Sequence, residues 1–400
     1  MKILVLNCGS SSIKYKLIDM DSQNVMAQGG VEKVGLDGAF LKYTKPNGEK
    51  EIIEKEIPEH TAGIELIFSV LTDPANGAIS SLDEIDAVGH RVVHGGEKFN
   101  KSVLIDEEVI SNIEDCIKIA PLHNPPNLKG IRAIQNLLPA VPQVAVFDTA
   151  FHQSMPQEAY MYALPYELYE NDGVRRYGFH GTSHRYVSQR AFEMLNIPVK
   201  GSKMITCHIG NGGSITAIKD GQSVDTSMGM TPLEGLVMGT RAGDIDTGAI
   251  TYLMEREHFD TAAISNILNK KSGLLGISGV SSDMRDVRAA IADGNQRAKL
   301  ALDMFIYRVK KYIGSYVAVL GGVDVIVFTG GIGENVDVVR QAICADMECF
   351  GVKLNESVNA DVHGDEMIIS TPDSATKVVV IATDEEYMIA ADTLDIVSKL

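Results

Sequence analysis

Short apolar runs with strand composition alternate along this chain with longer stretches of helical period. Ile3 to Leu6 and Ile13 to Ile18 are two such runs, flanking Asn7-Cys8-Gly9-Ser10-Ser11-Ser12, and they predict strand, tight turn, strand. Val25–Val34, Ala39–Tyr43 and Glu51–Ile57 follow as short strands, with turns at Asp37-Gly38 and Pro46-Asn47-Gly48. A helix is predicted over Thr61–Leu71, then a strand from Ala87 that runs into Gly95-Gly96. Asp106–Ile119 and Asn127–Leu137 read as helices, the second with proline near its start. Val141–Phe147 reads as a buried strand that delivers Asp148 at its C-terminal end, where α/β sheets place ligands. Thr182 or Ser183 is expected to cap a helix running to Leu195.

Met204–Lys219 repeats the opening plan about two hundred residues later, as strand, Gly/Asn/Ser turn and strand. Two such hairpins, half a chain apart, point to a duplicated chain. Asp220-Gly221 makes another turn, and Pro232–Asp246 is a Gly-rich loop holding Arg241, Asp244 and Asp246. A long helix from Asn295 to Leu320 is marked by Ala298, Leu302, Phe305, Val309, Ile313, Val317 and Leu320, and Gly321-Gly322 stops it. Asp324–Phe328 is a buried strand leading into Thr329-Gly330-Gly331-Ile332-Gly333-Glu334-Asn335 and a helix to about Phe350. Cys344 and Cys349 are expected to share that helix. A last strand, Lys377–Ala382, reaches Thr383-Asp384-Glu385-Glu386 and a final helix.

At 400 residues the chain is long for one core, so two domains are expected. A net charge of −17 argues against nucleic acid or an anionic membrane as a partner. Any anion must then be held by a few local Arg, Lys or backbone donors. Five cysteines without a CxxC pair give a reduced, cytoplasmic pattern. The apolar run after Lys2 is too short for a signal peptide, and no run reaches transmembrane length.

GxxxxGK[ST], a complete GxGxxG and HExxH are all missing. What remains is two hairpin turns able to line phosphate, a Gly-rich strand-to-helix turn, and Arg and acids at strand ends. These are the parts of metal-assisted phosphoryl transfer. Ser10 and Ser12 offer hydroxyls to a phosphate, and Lys14 offers charge. Asn7, Asp148 and Glu385 can hold Mg²⁺ directly or through water. Arg91, Arg241 and His180 can stabilise charge on the transferring group. Each has a plainer alternative. Arg91 can be an ordinary salt bridge, His180 a helix cap, Asp148 a strand terminator and Glu385 a helix-dipole acid. The tyrosines from Tyr160 to Tyr169 read as packing and hinge residues.

The chain resembles the acetate and propionate kinases of the sugar kinase, Hsp70 and actin superfamily. The resemblance runs along its whole length. It is carried by Asn7-Cys8-Gly9-Ser10-Ser11-Ser12-Ile13-Lys14, His90-Arg91-Val92-Val93-His94-Gly95-Gly96 and Phe147-Asp148-Thr149-Ala150-Phe151-His152. Further matches are Arg176 to His184, His208 to Gly212, Gly239 to Asp244 and Gly331 to Asn335. It implies an α/β fold of two duplicated actin-like ATPase (ribonuclease H-like) domains with the active site in a cleft that closes to exclude water. The first domain would span residues 1–150 and be rejoined by the C-terminal helix 385–400. The second, 151–384, would bind nucleotide and form a homodimer.

The implied reaction is reversible transfer of the ATP γ-phosphoryl group to acetate, with Mg²⁺ or a substituting Mn²⁺. By resemblance, Asn7 and Glu385 serve the metal and Arg91 binds acetate. Asp148 is catalytic, and His180 and Arg241 stabilise the transition state. Lys14, Ser10, Ser12, His208, Ile209, Gly210, Asn211, Gly212, Asp283, Met284, Arg285, Gly331, Ile332, Gly333, Glu334 and Asn335 hold ATP. Val93, Leu122, Phe179 and Pro232 surround the acetate methyl group. Asp384 stands where the family has Asn, which leaves open which of Asp384, Glu385 and Glu386 meets the metal. A carboxylate substrate is already ionised at neutral pH, so Asp148 is expected to position metal and water more than to move a proton. Propionate or butyrate as acceptor, and an Hsp70-like or actin-like ATPase, remain the alternatives.

Overall fold

The computed structural model describes residues 1–400, which divide into two compact units. One comprises Met1–Gln153 with Asp384–Leu400, the other Ser154–Thr383.

The first unit is built on an eight-stranded mixed sheet. Its strands are β1 (Lys2–Cys8), β2 (Ser12–Asp19), β3 (Asn24–Glu32), β4 (Phe40–Thr44), β5 (Lys50–Glu54), β6 (Ala87–Val92), β7 (Val103–Leu104) and β8 (Gln143–Phe147). Their spatial order is β5-β4-β3-β2-β1-β6-β8-β7. The hairpins β1 to β5 are antiparallel, whereas β1, β6 and β8 run parallel. Every residue of β8 is buried, as expected of a parallel strand covered on both faces.

The two faces of this sheet have different covers. Leu4, Leu6, Ile13 and Leu17 pack with Ile64, Ile67, Ala133 and Ile134 from the helices His60–Leu71 and Asn124–Leu137. Ile3, Val5, Val144 and Val146 pack instead against Ile389 and Ala390 of the helix Glu385–Val397. Gly89 of β6 permits that second contact. A side-chain carbon there would stand 2.5 Å from Thr393 Oγ1 and 2.7 Å from Ile389 Cγ2.

The second unit holds a six-stranded sheet ordered β11-β10-β9-β12-β14-β13. Its strands are β9 (Lys203–Ile209), β10 (Gly213–Lys219), β11 (Gln222–Thr226), β12 (Val325–Thr329), β13 (Met367–Ile368) and β14 (Lys377–Val380). Here β11, β10 and β9 are antiparallel while β9, β12 and β14 are parallel. The order β3-β2-β1-β6-β8 of the first unit is thus repeated as β11-β10-β9-β12-β14, with the same strand senses. This repeat gives the two hairpins read from the sequence equivalent places, each opening its own sheet. The long helix Gln296–Leu320 buries Ala298, Phe305, Val309, Ile313 and Leu320, with Asn295 as N-cap and Gly321 as left-handed C-cap.

Several local expectations are corrected. The helix after the Tyr-rich region begins at Gly181, its N-cap is His180 in the left-handed region, and Thr182 and Ser183 do not cap it. They lie in its first turn, where Ser183 Oγ is 2.8 Å from both His208 Nδ1 and Thr383 Oγ1. The helix expected to reach Phe350 is broken. It comprises Gly330–Asn335, Asp337–Cys344 and a 3₁₀ turn Glu348–Phe350, so Cys344 and Cys349 are on different elements. The helix predicted from Asn127 starts at Asn124 and takes both prolines into its first turn. No helix is long and apolar enough to cross a membrane.

Candidate active site

In the first unit, strand register decides which polar side chains meet. Val5 pairs with Lys16 and Gly89, and Asn7 pairs with Lys14. Gly89 and Arg91 pair in turn with Val144 and Val146 of β8. Because side chains alternate along a strand, Asn7, Lys14, Lys16, Arg91 and Asp148 all fall on the face covered by the C-terminal helix. Asn7, Arg91 and Asp148 sit at the C-terminal ends of three neighbouring parallel strands, and the N-terminus of the helix brings Glu385 to the same end. This is how residues almost four hundred positions apart form one cluster.

Arg91 is its centre. Its Nε donates to Asp148 Oδ1 at 3.2 Å, its Nη2 pairs with Asp148 Oδ2, and its Nη1 donates to Asn7 Oδ1 at 3.3 Å. Asp148 is buried, with 1% of its surface exposed. Burial pushes the Glu385 carboxyl up to about 7; Arg91 opposes the shift, while Asp148 and Glu386 add to it. A carboxyl held this way gains from a second positive charge. The cluster therefore offers hard oxygen donors, Asn7 and Glu385, to a divalent cation. No group of three or more His, Cys, Asp or Glu is assembled to hold a metal unaided. Such a donor set suits Mg²⁺, which keeps waters and takes phosphate oxygens.

Around this cluster the backbone is tied down by amide side chains. Asn127 Oδ1 accepts from Val93 N at 3.0 Å, and its Nδ2 donates to Cys8 O at 2.8 Å. Asn127 so joins β1 to the segment after β6. The turn Gly9-Ser10-Ser11 closes on itself, with Gly9 N donating to Ser12 O at 2.8 Å, and His60 Nε2 lies 2.7 Å from Gly9 O. The Gly9 amide, expected to face an anion, is therefore used within the turn. Ser10 and Lys14 are exposed, and Ser12 is half-buried. Val93 is buried, whereas Leu122 is 72% exposed.

The second unit assembles its own set. The turn of the second hairpin closes in the same manner, Gly210 N donating to Gly212 O at 2.9 Å. His180 stacks on His208 with ring centroids 4.3 Å apart. Its Nδ1 is 2.9 Å from Ser214 Oγ, which is also 2.7 Å from His184 Nε2. A side-chain carbon at Gly212 would stand 3.6 Å from Arg241 Nη1 and 3.7 Å from His180 Nε2. Gly212, His180 and Arg241 thus surround one spot, and only glycine leaves it open.

Arg241 donates to Pro232 O at 3.0 Å, and burial depresses its pKa with no carboxylate alongside to offset it. A half-buried guanidinium without a counter-charge is suited to bind an anion. The loop that carries it is held from beneath. Arg176 pairs with Glu234 at 2.6 Å and donates to the carbonyls of Thr226, Ser227 and Met228. Tyr162 OH donates to Glu234 Oε2 at 2.6 Å. Asp244 and Asp246 turn out to be structural: Asp244 accepts from Gly235 N and Tyr312 OH, and Asp246 caps the helix Thr247–Glu257.

Three further segments adjoin the hairpin tip. Gly239 N donates to Asn211 O at 2.9 Å, and a side-chain carbon at Gly239 would stand 3.0 Å from Ser282 O. Asp283 caps the helix starting at Met284, and its carboxylate also holds the Arg285 side chain at 2.6 Å. Gly330 has φ +76, and a carbon on it would strike Ile209 backbone atoms at 2.9 Å. Gly331 is open to solvent, and a side-chain carbon on it would meet nothing within 4 Å. Glu334 is turned inward, accepting from Gly330 N at 2.8 Å and Thr383 N at 3.1 Å. Phe179 is buried and Pro232 half-buried. His60, Asn127 and Ser214 support the site without any signal in the sequence, because each acts through a contact distant along the chain; Arg176 was visible only as the start of a matched motif, and its role as a loop support was not.

The acetokinase family model matches residues 2–391. The chain belongs to the acetokinase family. An acetate kinase of Bacteroides thetaiotaomicron is 65% identical over 399 residues, all of both chains. Among solved structures, the Porphyromonas gingivalis acetate kinase has a TM-score of 0.96 at 60% identity, over 99% of each chain. A propionate kinase of Francisella tularensis has a TM-score of 0.92 at 43% identity, again over 99% of each. The repeated sheet order is the duplicated actin-like arrangement expected of this family.

Proposed function

We infer that the chain is a kinase that transfers the γ-phosphoryl group of ATP to acetate, reversibly, giving acetyl phosphate and ADP. Full-length identity of 60–65% to acetate kinases supports acetate as the acceptor. The observation on the molecule that carries the reading is the pair of arginines. Arg91 stands among oxygen donors and acids, and Arg241 stands without a counter-charge beside His180 and Gly212.

The residue roles follow from what each group can do. Arg91 engages Asp148 through Nε and Nη2 and Asn7 through Nη1, and its remaining Nη hydrogens bind the acetate carboxylate, while Asp148 orients the guanidinium and positions metal and water. His180 and Arg241 donate to the equatorial oxygens of the transferring group, where charge is spread in a loose transition state. Ser214 and the stack on His208 fix the His180 ring. Asn7 and Glu385 would hold Mg²⁺, which when bound would supply positive charge to offset that of the phosphates. Lys14, Ser10, Ser12, the tip His208–Gly212, Asp283–Arg285 and Gly331–Asn335 serve the nucleotide. Of these, Glu334 acts through backbone amides and not on ATP directly. Val93, Leu122, Phe179 and Pro232 line the acetate methyl group. The unit Met1–Gln153 with Asp384–Leu400 is the N-terminal actin-like domain. The unit Ser154–Thr383 is the C-terminal one, which binds nucleotide and pairs in a homodimer.

The test is acyl hydroxamate formation from MgATP and hydroxylamine with acetate, propionate or butyrate. Product highest with acetate supports the reading. Product highest with a longer acid keeps the chemistry and overturns the substrate. Steady ADP release without hydroxamate replaces the reading with that of an ATPase.

A further inference from the structure

Three consecutive acids, Asp384, Glu385 and Glu386, open the C-terminal helix, and a mechanism is needed to select one of them for the metal. One lysine treats them unequally. Lys16 lies on the sheet face that the helix covers, two residues beyond Lys14, and only 14% of its side chain is exposed. Its Nζ donates to Asp384 Oδ1 at 2.9 Å and lies 3.6 Å from Glu386 Oε2. The same Asp384 oxygen accepts from Tyr387 N at 2.9 Å, so it serves as helix cap and as lysine partner at once. Glu385, between them, makes no ion pair with Lys16, whose partners are Asp384 and Glu386.

We propose that Lys16 is a positioning residue for the metal site: it pins Asp384 and Glu386 on either side of Glu385, so that Glu385 alone of the three acids is presented to Mg²⁺. The proposal rests on the reading above, in which Asn7 and Glu385 hold the metal. Lys16 touches neither metal nor substrate. It spans the two flanking carboxylates with one charge and keeps the first helical turn from rotating. Asp384 does not become a ligand, because its charge is already matched by Lys16.

The test is Mn²⁺ binding in the presence of ADP, followed by electron paramagnetic resonance, together with the Mg²⁺ concentration for half-maximal activity. Lys16→Met is expected to weaken Mn²⁺ binding and raise the half-maximal Mg²⁺ by the same factor, roughly tenfold or more. KM for acetate stays within about twofold, and Lys16→Arg recovers most of the loss. Lys16→Met with a native melting curve and unaltered Mn²⁺ binding overturns the proposal. If Lys16→Met does not fold, the double variant Asp384→Asn/Glu386→Gln decides, because it removes both carboxylates that Lys16 holds while asparagine keeps the cap on Tyr387. A roughly tenfold loss of Mn²⁺ binding, smaller than that of Glu385→Gln, upholds the proposal, and unaltered binding, or a loss as large as that of Glu385→Gln, overturns it. The underlying reading fails separately, if Glu385→Gln binds Mn²⁺ as the parent does.

Discussion

Replacing Glu385 with Gln tests the electrostatics of the first cluster through stability alone. The folded carboxyl sits at about 7 against its ordinary 4.5 because burial disfavours the charged form. Below pH 4.5 it is protonated folded and unfolded, and contributes no pH dependence. As pH rises past 4.5 the unfolded chain releases the proton while the folded chain keeps it, so stability falls. The fall ends near pH 7, where the folded form also ionises. At about 1.4 kcal/mol per pH unit, the interval corresponds to a loss of about 3 kcal/mol. Glutamine keeps the shape without the proton, so the stability of Glu385→Gln relative to the parent should rise by about that amount between pH 4.5 and 7.5. Urea unfolding of both proteins in EDTA, at four or five pH values, measures the difference directly. A difference independent of pH would show that Arg91 holds Glu385 ionised in the folded state, and would refute the reasoning.

Other expectations follow from single contacts. Asp148→Asn should weaken the Mg²⁺ dependence of the reaction; an unchanged metal requirement with a shifted pH-rate profile would instead make Asp148 a proton acceptor. Arg241→Gln should lower kcat by about 10²–10³ while KM for acetate changes little, measured by steady-state kinetics. Gly89→Val should cost about 1–3 kcal/mol in urea unfolding, because its added carbons meet Thr393 and Ile389, and should impair activity by shifting the helix that carries Glu385. Arg340 is fully buried and donates to the carbonyls of Gly333, Glu334, Asn359 and Val362 and to Asn359 Oδ1. Arg340→Met should cost about 3–5 kcal/mol and raise KM for ATP more than KM for acetate, because it loosens Gly331–Asn335.

Much of the site was legible because its parts are local. The two hairpins declare themselves through strand, Gly/Ser turn, strand, and their spacing announces the duplication that the sheet order repeats. Asp148 at the end of a buried strand and Gly330 at a strand-to-helix turn are likewise readable from neighbours. Four features were not. The turn amides Gly9 and Gly210 close their own hairpins, a hydrogen bond that composition does not reveal. His180, read as a possible helix cap, does hold the N-cap position but in a left-handed backbone and without a side-chain cap bond, which a histidine does not advertise, and Thr182 and Ser183 were better cap formers by type. The break at Val336 falls where Arg340 gathers carbonyls from two segments, a tertiary cause that outweighs helical period. Assigning Glu385 over Asp384 needed Lys16, which lies more than three hundred residues earlier in the chain.

The most direct test of phosphoryl exchange between an acyl phosphate and ADP is the reverse reaction. Acetyl phosphate and MgADP are mixed with the protein, and ATP is followed by luciferase light. ATP formation that stops on removing either Mg²⁺ or acetyl phosphate, and is lost in Arg91→Ala and Arg241→Ala, is the predicted result. Absence of ATP from the folded parent, or ATP formed equally well by both arginine variants, would contradict the account.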